Sequence, residues 1–137
     1  MVDYRISEIE GIGAVYADKL KKAGITTVSG LLEKGKTAKG RKVLTQTSGI
    51  DTKIILRWVN MSDLFRIDGV GKQYAELLKA AGVDTVKELK NRNPQNLHLK
   101  LKETNGSGHR LVRAIPGQQI VEAWVNAAKK MEPKVTY

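Results

Sequence analysis

The sequence predicts an all-α fold made of two copies of one helical unit, and three observations carry that prediction. The first is a pair of near-identical segments. Ile9-Glu10-Gly11-Ile12-Gly13 runs on to Tyr16, Ala17, Ala23 and Gly24, and Ile67-Asp68-Gly69-Val70-Gly71 runs on to Tyr74, Ala75, Ala81 and Gly82, 58 residues later. The second is a trailing match: Ile54, Ile55, Trp58, Val59 and Asn60 return as Ile120, Val121, Trp124, Val125 and Asn126, 66 residues later. The third is periodicity. Apolar residues recur at helical spacing, and no segment shows the strict alternation of a half-buried strand.

Taken in order, Tyr4 to Glu8 is expected to form a short helix leading into the Glu10–Gly13 turn. Ala14 to Ala23 forms the next, with Ala17, Leu20 and Ala23 on one face, and Gly24 ends it in the left-handed conformation that glycine tolerates. Thr26 or Thr27 caps a third helix through Leu31 and Leu32, because a threonine hydroxyl satisfies a free amide of the first turn. Lys39 to Gln46 reads as a fourth. Asp51 caps a fifth, whose stripe of Ile54, Ile55, Trp58 and Val59 is the apolar face a buried helix requires.

The second copy replays this order. Asp84 is expected to cap the helix of Val86 and Leu89, and Asn93-Pro94 is a cap-then-proline start leading through Leu97 and Leu101. The closing helix begins near Pro116. The growth of the offset from 58 to 66 puts about eight extra residues in this copy, and Asn105-Gly106-Ser107-Gly108 is the polar, flexible stretch that accommodates them. Asn60 to Asp63 reads as the hinge, which divides the chain into residues 1–60 and 61–137. A half this small buries little on its own, so the copies are expected to pack together.

Composition narrows the function. Of 137 residues, 41% are hydrophobic and 28% charged, as in an ordinary folded domain. No cysteine is present, which excludes disulfides, thiolate zinc sites and thiol catalysis and fits a reducing cytoplasm. No apolar run is long enough for a membrane span and no signal peptide is recognisable, so no membrane association is expected. The net charge is +10, carried by both halves: 11 Lys+Arg against 7 Asp+Glu in residues 1–65, and 13 against 7 in residues 66–137. Basic charge spread over a folded chain favours a polyanionic partner, with a solvated lysine surface as the alternative.

Gly-hydrophobe-Gly ahead of an amphipathic helix bares consecutive backbone N–H groups at the helix start, where the helix dipole favours a phosphate oxygen. The fuller pattern, hydrophobe-x-Gly-hydrophobe-Gly-x-x-x-Ala-x-x-hydrophobe, is met by Ile9, Gly11, Ile12, Gly13, Ala17 and Leu20, and again by Ile67, Gly69, Val70, Gly71, Ala75 and Leu78. It resembles the helix-hairpin-helix motif. Thr47-Ser48-Gly49-Ile50-Asp51 looks like a degenerate second hairpin, and Ala114-Ile115-Pro116-Gly117 like a more degenerate counterpart. Each half thus resembles the double helix-hairpin-helix domain found at the N-terminus of archaeal recombinases and in repair proteins. The whole chain is similar to an uncharacterised, mainly bacterial family of tandem helix-hairpin-helix proteins. The resemblance implies a duplicated, SAM-like helical bundle of about ten short helices.

It also implies sequence-independent DNA binding, with hairpin amides touching phosphates across the minor groove. By position, the contacts would come from Gly11, Gly13 and Ala14, and from Gly69, Gly71 and Lys72. Lys72 follows its glycines directly and Gln73 adds a donor, whereas Ala14 and Val15 offer neither, so the second hairpin is expected to bind better. Lys21, Lys22 and Lys79 are candidates for the same surface, and Glu10 and Asp68 oppose it unless they point away. The competing expectation is that Gly-x-Gly only makes the turn and that the fold is a protein-interaction adaptor. RNA binding would use the same phosphate chemistry, and a monovalent cation on hairpin carbonyls is a further family possibility.

Trp58 and Trp124 share helical phase with their isoleucines and are expected in the core, with Tyr16 and Tyr74 packing beside the hairpins. His98 and His109 are too few for a metal site, and His109 to Arg113 is either a basic contact loop or a solvated one. No catalytic dyad is legible near the hairpins. The expectation is therefore a non-enzymatic DNA-binding protein without cofactor or metal, cytoplasmic and nucleoid-associated.

Overall fold

A computed structural model describes residues 3–106 and 110–137. Ser107, Gly108 and His109, part of the expected insertion and contact loop, lie outside the described residues. Among those described, the fold is all-helical, with a 3-10 turn at Ile6–Glu8 and eight α-helices: α1 (Ala14–Lys22), α2 (Val28–Gly35), α3 (Ala38–Ser48), α4 (Thr52–Leu64), α5 (Lys72–Ala80), α6 (Val86–Lys90), α7 (Pro94–Gly106) and α8 (Gln118–Lys129).

The expectation of about ten helices is corrected to eight, and the two lead-in helices account for the difference. In the first half the chain before Ile6 is extended, because Ile6 N–H donates to Thr26 O (3.1 Å) and Val28 N–H to Tyr4 O (2.9 Å). That pairing leaves room for a single 3-10 turn. In the second half the expected hinge, Asn60 to Asp63, is itself helical. Met61 and Leu64 are buried, and the Ser62 hydroxyl donates to Trp58 O one turn back (2.9 Å), so α4 continues through the supposed boundary.

The chain divides into two compact units, Met1–Asp63 with Lys134–Tyr137, and Leu64–Pro133. In the first, α1 and α2 pack on α3, and the 3-10 turn packs against α1 and α2. Ile9, Leu20, Ile25, Leu31, Ile55 and Trp58 are the large side chains closed from solvent there. In the second, α8 lies against α6 and α7, and α5 against α7, around Ile67, Leu77, Leu78, Leu89 and Leu97. Each fully buried aliphatic of this kind contributes about 1.5–3 kcal/mol. Helix ends match in detail. Ile25 N–H donates to Leu20 O and Val83 N–H to Leu78 O, both at 2.8 Å, across Gly24 and Gly82.

One expected core residue is misplaced. Ile120 is 50% exposed, so α8 turns Val121, Trp124, Val125 and Ala128 inward and leaves Ile120 at its edge.

Candidate functional site

Each glycine turn is anchored by two buried aliphatics and closed by one backbone hydrogen bond. In the first turn Ile9 and Ile12 are buried, and Ile12 N–H donates to Ile9 O (3.2 Å). In the second, Ile67 and Val70 are buried, and Val70 N–H donates to Ile67 O (3.1 Å). Closing so short a turn forces positive φ on its third residue, +93° at Gly11 and +87° at Gly69, a region that side-chain-bearing residues avoid. Glu10, Gly11, Asp68 and Gly69 are all exposed.

A tryptophan lies beneath each turn. Trp58 of α4 is 2% exposed and Trp124 of α8 is 3% exposed, which agrees with the core expectation. Tyr16 packs edge-on against Trp58 (centroids 5.0 Å apart) and Tyr74 is tilted against Trp124 (5.3 Å), the packing role expected of both tyrosines. Sequence reasoning did not reach the orientation of the indoles. A β-carbon placed on Gly11 would stand 3.5 Å from Trp58 Nε1, and one placed on Gly69 would stand 3.5 Å from Trp124 Nε1. The only sequence signal for this was that both tryptophans recur with the glycine turns.

The helix starts differ in how their first amides are satisfied. Thr27, Thr37 and Thr85 accept from the amides of Gly30, Gly40 and Glu88 and cap α2, α3 and α6. Asp51 and Asn93 do the same for Lys53 in α4 and Asn96 in α7. Thr85 therefore holds the cap expected of Asp84. By contrast α1, α5 and α8 begin on Gly13, Gly71 and Gly117, with no side-chain cap. Gly13 has ordinary extended dihedrals (φ −84°, ψ −174°), and a β-carbon there would meet nothing within 4 Å. Gly13, Ala14, Val15, Lys72 and Gln73 are exposed and Gly71 is half-buried.

The structure does not bring every candidate together. Gly11, Gly13 and Ala14 converge at the start of α1, and Gly69, Gly71, Lys72 and Gln73 at the start of α5. Lys21, Lys22 and Lys79 are on the last turns of those helices. Seven residues of helix separate them from the glycines by roughly 10 Å. A shared helix places these lysines at the end opposite the glycines, so they do not sit at the turns themselves. Lys22 pairs with Asp18 (3.2 Å), and Lys19 lies over the Tyr16 ring (5.8 Å). Lys21 lines a groove of about 590 Å³ with Arg5, Ser7, Asp18 and Thr27.

In the candidate basic loop, Arg110 turns back onto its own backbone, donating to Val112 O (3.1 Å) and Arg113 O. Asn105 fastens the same segment by accepting from Leu111 and Val112 N–H (2.9 and 3.0 Å). Three charged groups of the first unit are shifted from their ordinary values. Burial would raise Asp3, but hydrogen bonds from the Ser29 hydroxyl and amide and from Tyr4 N–H outweigh it and hold the carboxyl low. Lys134, and then Lys36, lower Glu33 through contacts of 2.9 and 3.0 Å. Burial lowers Arg41, whose guanidinium donates to Gly35 O (2.8 Å) and Thr136 O (2.6 Å).

Among the described residues no three His, Cys, Asp or Glu side chains gather as metal ligands, and no helix is long and apolar enough to cross a membrane. No curated protein and no solved structure matches the chain. A family model does, over residues 10–131, from the first glycine turn to just past α8. The chain therefore belongs to the family described as a domain of unknown function, DUF4332.

Proposed function

We propose that this protein binds DNA without catalysing a reaction and with little sequence preference. The glycine turns act as helix-hairpin-helix motifs, and backbone amides at the starts of α1 and α5 hold phosphates. On this reading the two units are copies of a double helix-hairpin-helix domain like that of archaeal recombinases, and the protein works in the cytoplasm on the nucleoid.

Gly13 is the observation that carries the reading. Gly11 must be glycine because of its φ, but nothing inside the molecule requires one at Gly13, where dihedrals are ordinary and the surrounding space is empty. Serine, threonine or aspartate would cap α1 better, as side chains do at five other helix starts. A glycine there keeps the first-turn amides open to an approaching phosphate. Lys72 and Gln73 add a cation and a donor at the second turn. Val15, 69% exposed on the first turn of α1, is the one feature that favours a protein partner at the first.

Fluorescence anisotropy of a labelled random duplex across a salt series tests the proposal. Engagement of about four to six phosphates gives a log–log slope of about −4 to −5. Lys72→Glu is expected to weaken binding more than Ala14→Glu. No binding at low salt, or a flat salt response, refutes the reading, and tighter binding to a protein partner than to duplex or RNA supports the adaptor instead.

A further inference from the structure

We propose that Trp58 and Trp124 are DNA-contacting residues, each donating its indole N–H to the phosphate held at its glycine turn; this rests on the DNA-binding reading above. Three features meet at each turn. The indole nitrogen belongs to a ring at least nine-tenths buried, and it is the atom of that ring that lies beside the glycine. Where another residue would carry a side chain, Gly11 and Gly69 carry none, and a β-carbon there would lie over the nitrogen at 3.5 Å. Two residues further on, a nine-residue helix starts on a glycine that does not cap it.

An indole N–H is a donor only, and one held in a core ordinarily finds an acceptor. Among the described residues neither indole has one within the chain. Thr45 Oγ1 is the only buried side-chain polar atom there without a partner, so both indole N–H groups open to solvent at the turns. A phosphodiester oxygen placed against the α1 or α5 amides finds this third donor beside it. Phenylalanine would keep an aromatic ring against Tyr16 or Tyr74 but is smaller than the indole and lacks the donor. Tryptophan at both positions supplies core volume and a donor together.

The chain holds two tryptophans, so a ¹H–¹⁵N spectrum carries two indole signals, one for each turn. Titrating the wild-type protein with a 12-base-pair random duplex is expected to move both indole protons downfield, saturating with the anisotropy curve. Trp58→Phe and Trp124→Phe should each weaken binding about ten- to hundredfold, as for loss of one hydrogen bond to a charged group. The salt slope should stay unchanged, because the lost donor is neutral. Duplex binding with both indole signals unmoved, or with both Phe variants binding like wild type, overturns the proposal and leaves the DNA-binding reading intact. Absence of any duplex binding overturns that reading and this proposal together. If a Phe variant fails to fold by circular dichroism, the wild-type indole titration decides.

Discussion

Gly11 and Gly13 stand two residues apart and answer to different constraints. Gly11 sits at φ +93°, so Gly11→Ala forces a side chain into the left-handed region and should destabilise the fold by about 1–2 kcal/mol. Gly13 has open space and the dihedrals of an ordinary N-cap. Gly13→Asp supplies a cap and a charge complementary to the helix dipole, so stability should hold or rise by about 0.5 kcal/mol. The same carboxylate repels a phosphate, and duplex affinity should fall at least tenfold. Urea denaturation and anisotropy on the two variants separate a glycine kept for the turn from one kept for a ligand. Loss of stability in Gly13→Asp to match Gly11→Ala would remove that distinction. That one glycine of so tight a turn takes positive φ was legible in the motif; that it is Gly11 and Gly69 came from the structure. The empty space at Gly13 was not legible, because it depends on what fails to pack there.

At the level of elements, helix starts were easier to read than helix counts. Thr27, Asp51 and Asn93 cap where the sequence placed caps, because capping depends on a side chain and an amide two or three residues apart. The second copy slipped by one position: Thr85, which is buried, takes the role expected of Asp84. Thr85→Ala should therefore lower stability by about 1 kcal/mol, whereas Asp84→Ala should stay within about 0.5 kcal/mol of wild type. Thermal unfolding of both variants checks this, and the reverse order would restore Asp84 as the cap. Helix count went wrong where long-range contacts intervened. Pairing with residues 26–28 keeps the chain before Ile6 extended, and burial of Met61 and Leu64 carries α4 through the expected hinge.

On the scale of the whole molecule, Lys134–Tyr137 return to the first unit, although the sequence reading grouped them with residues 61–137. Lys134 pairs with Glu33, Thr136 N–H donates to Lys36 O (2.8 Å), and Arg41 donates to Thr136 O. The Glu33 carboxyl is held below its ordinary value by Lys134 and Lys36. Its contribution to holding this segment is therefore complete above the ordinary glutamate range and is lost as pH falls through the lowered value. Amide shifts of residues 134–137 should titrate with a midpoint below that of a free glutamate. Glu33→Gln should abolish the titration, and a midpoint at or above the free value would contradict the assignment. The sequence by itself determined the all-helical class, the two glycine turns, the buried tryptophans and most helix starts, since spacing, dihedral limits and capping act over a few residues. Only the tertiary structure decided that the indole nitrogens lie beside the turns and where the last four residues go. Those outcomes depend on packing between segments tens of residues apart, which local spacing does not encode.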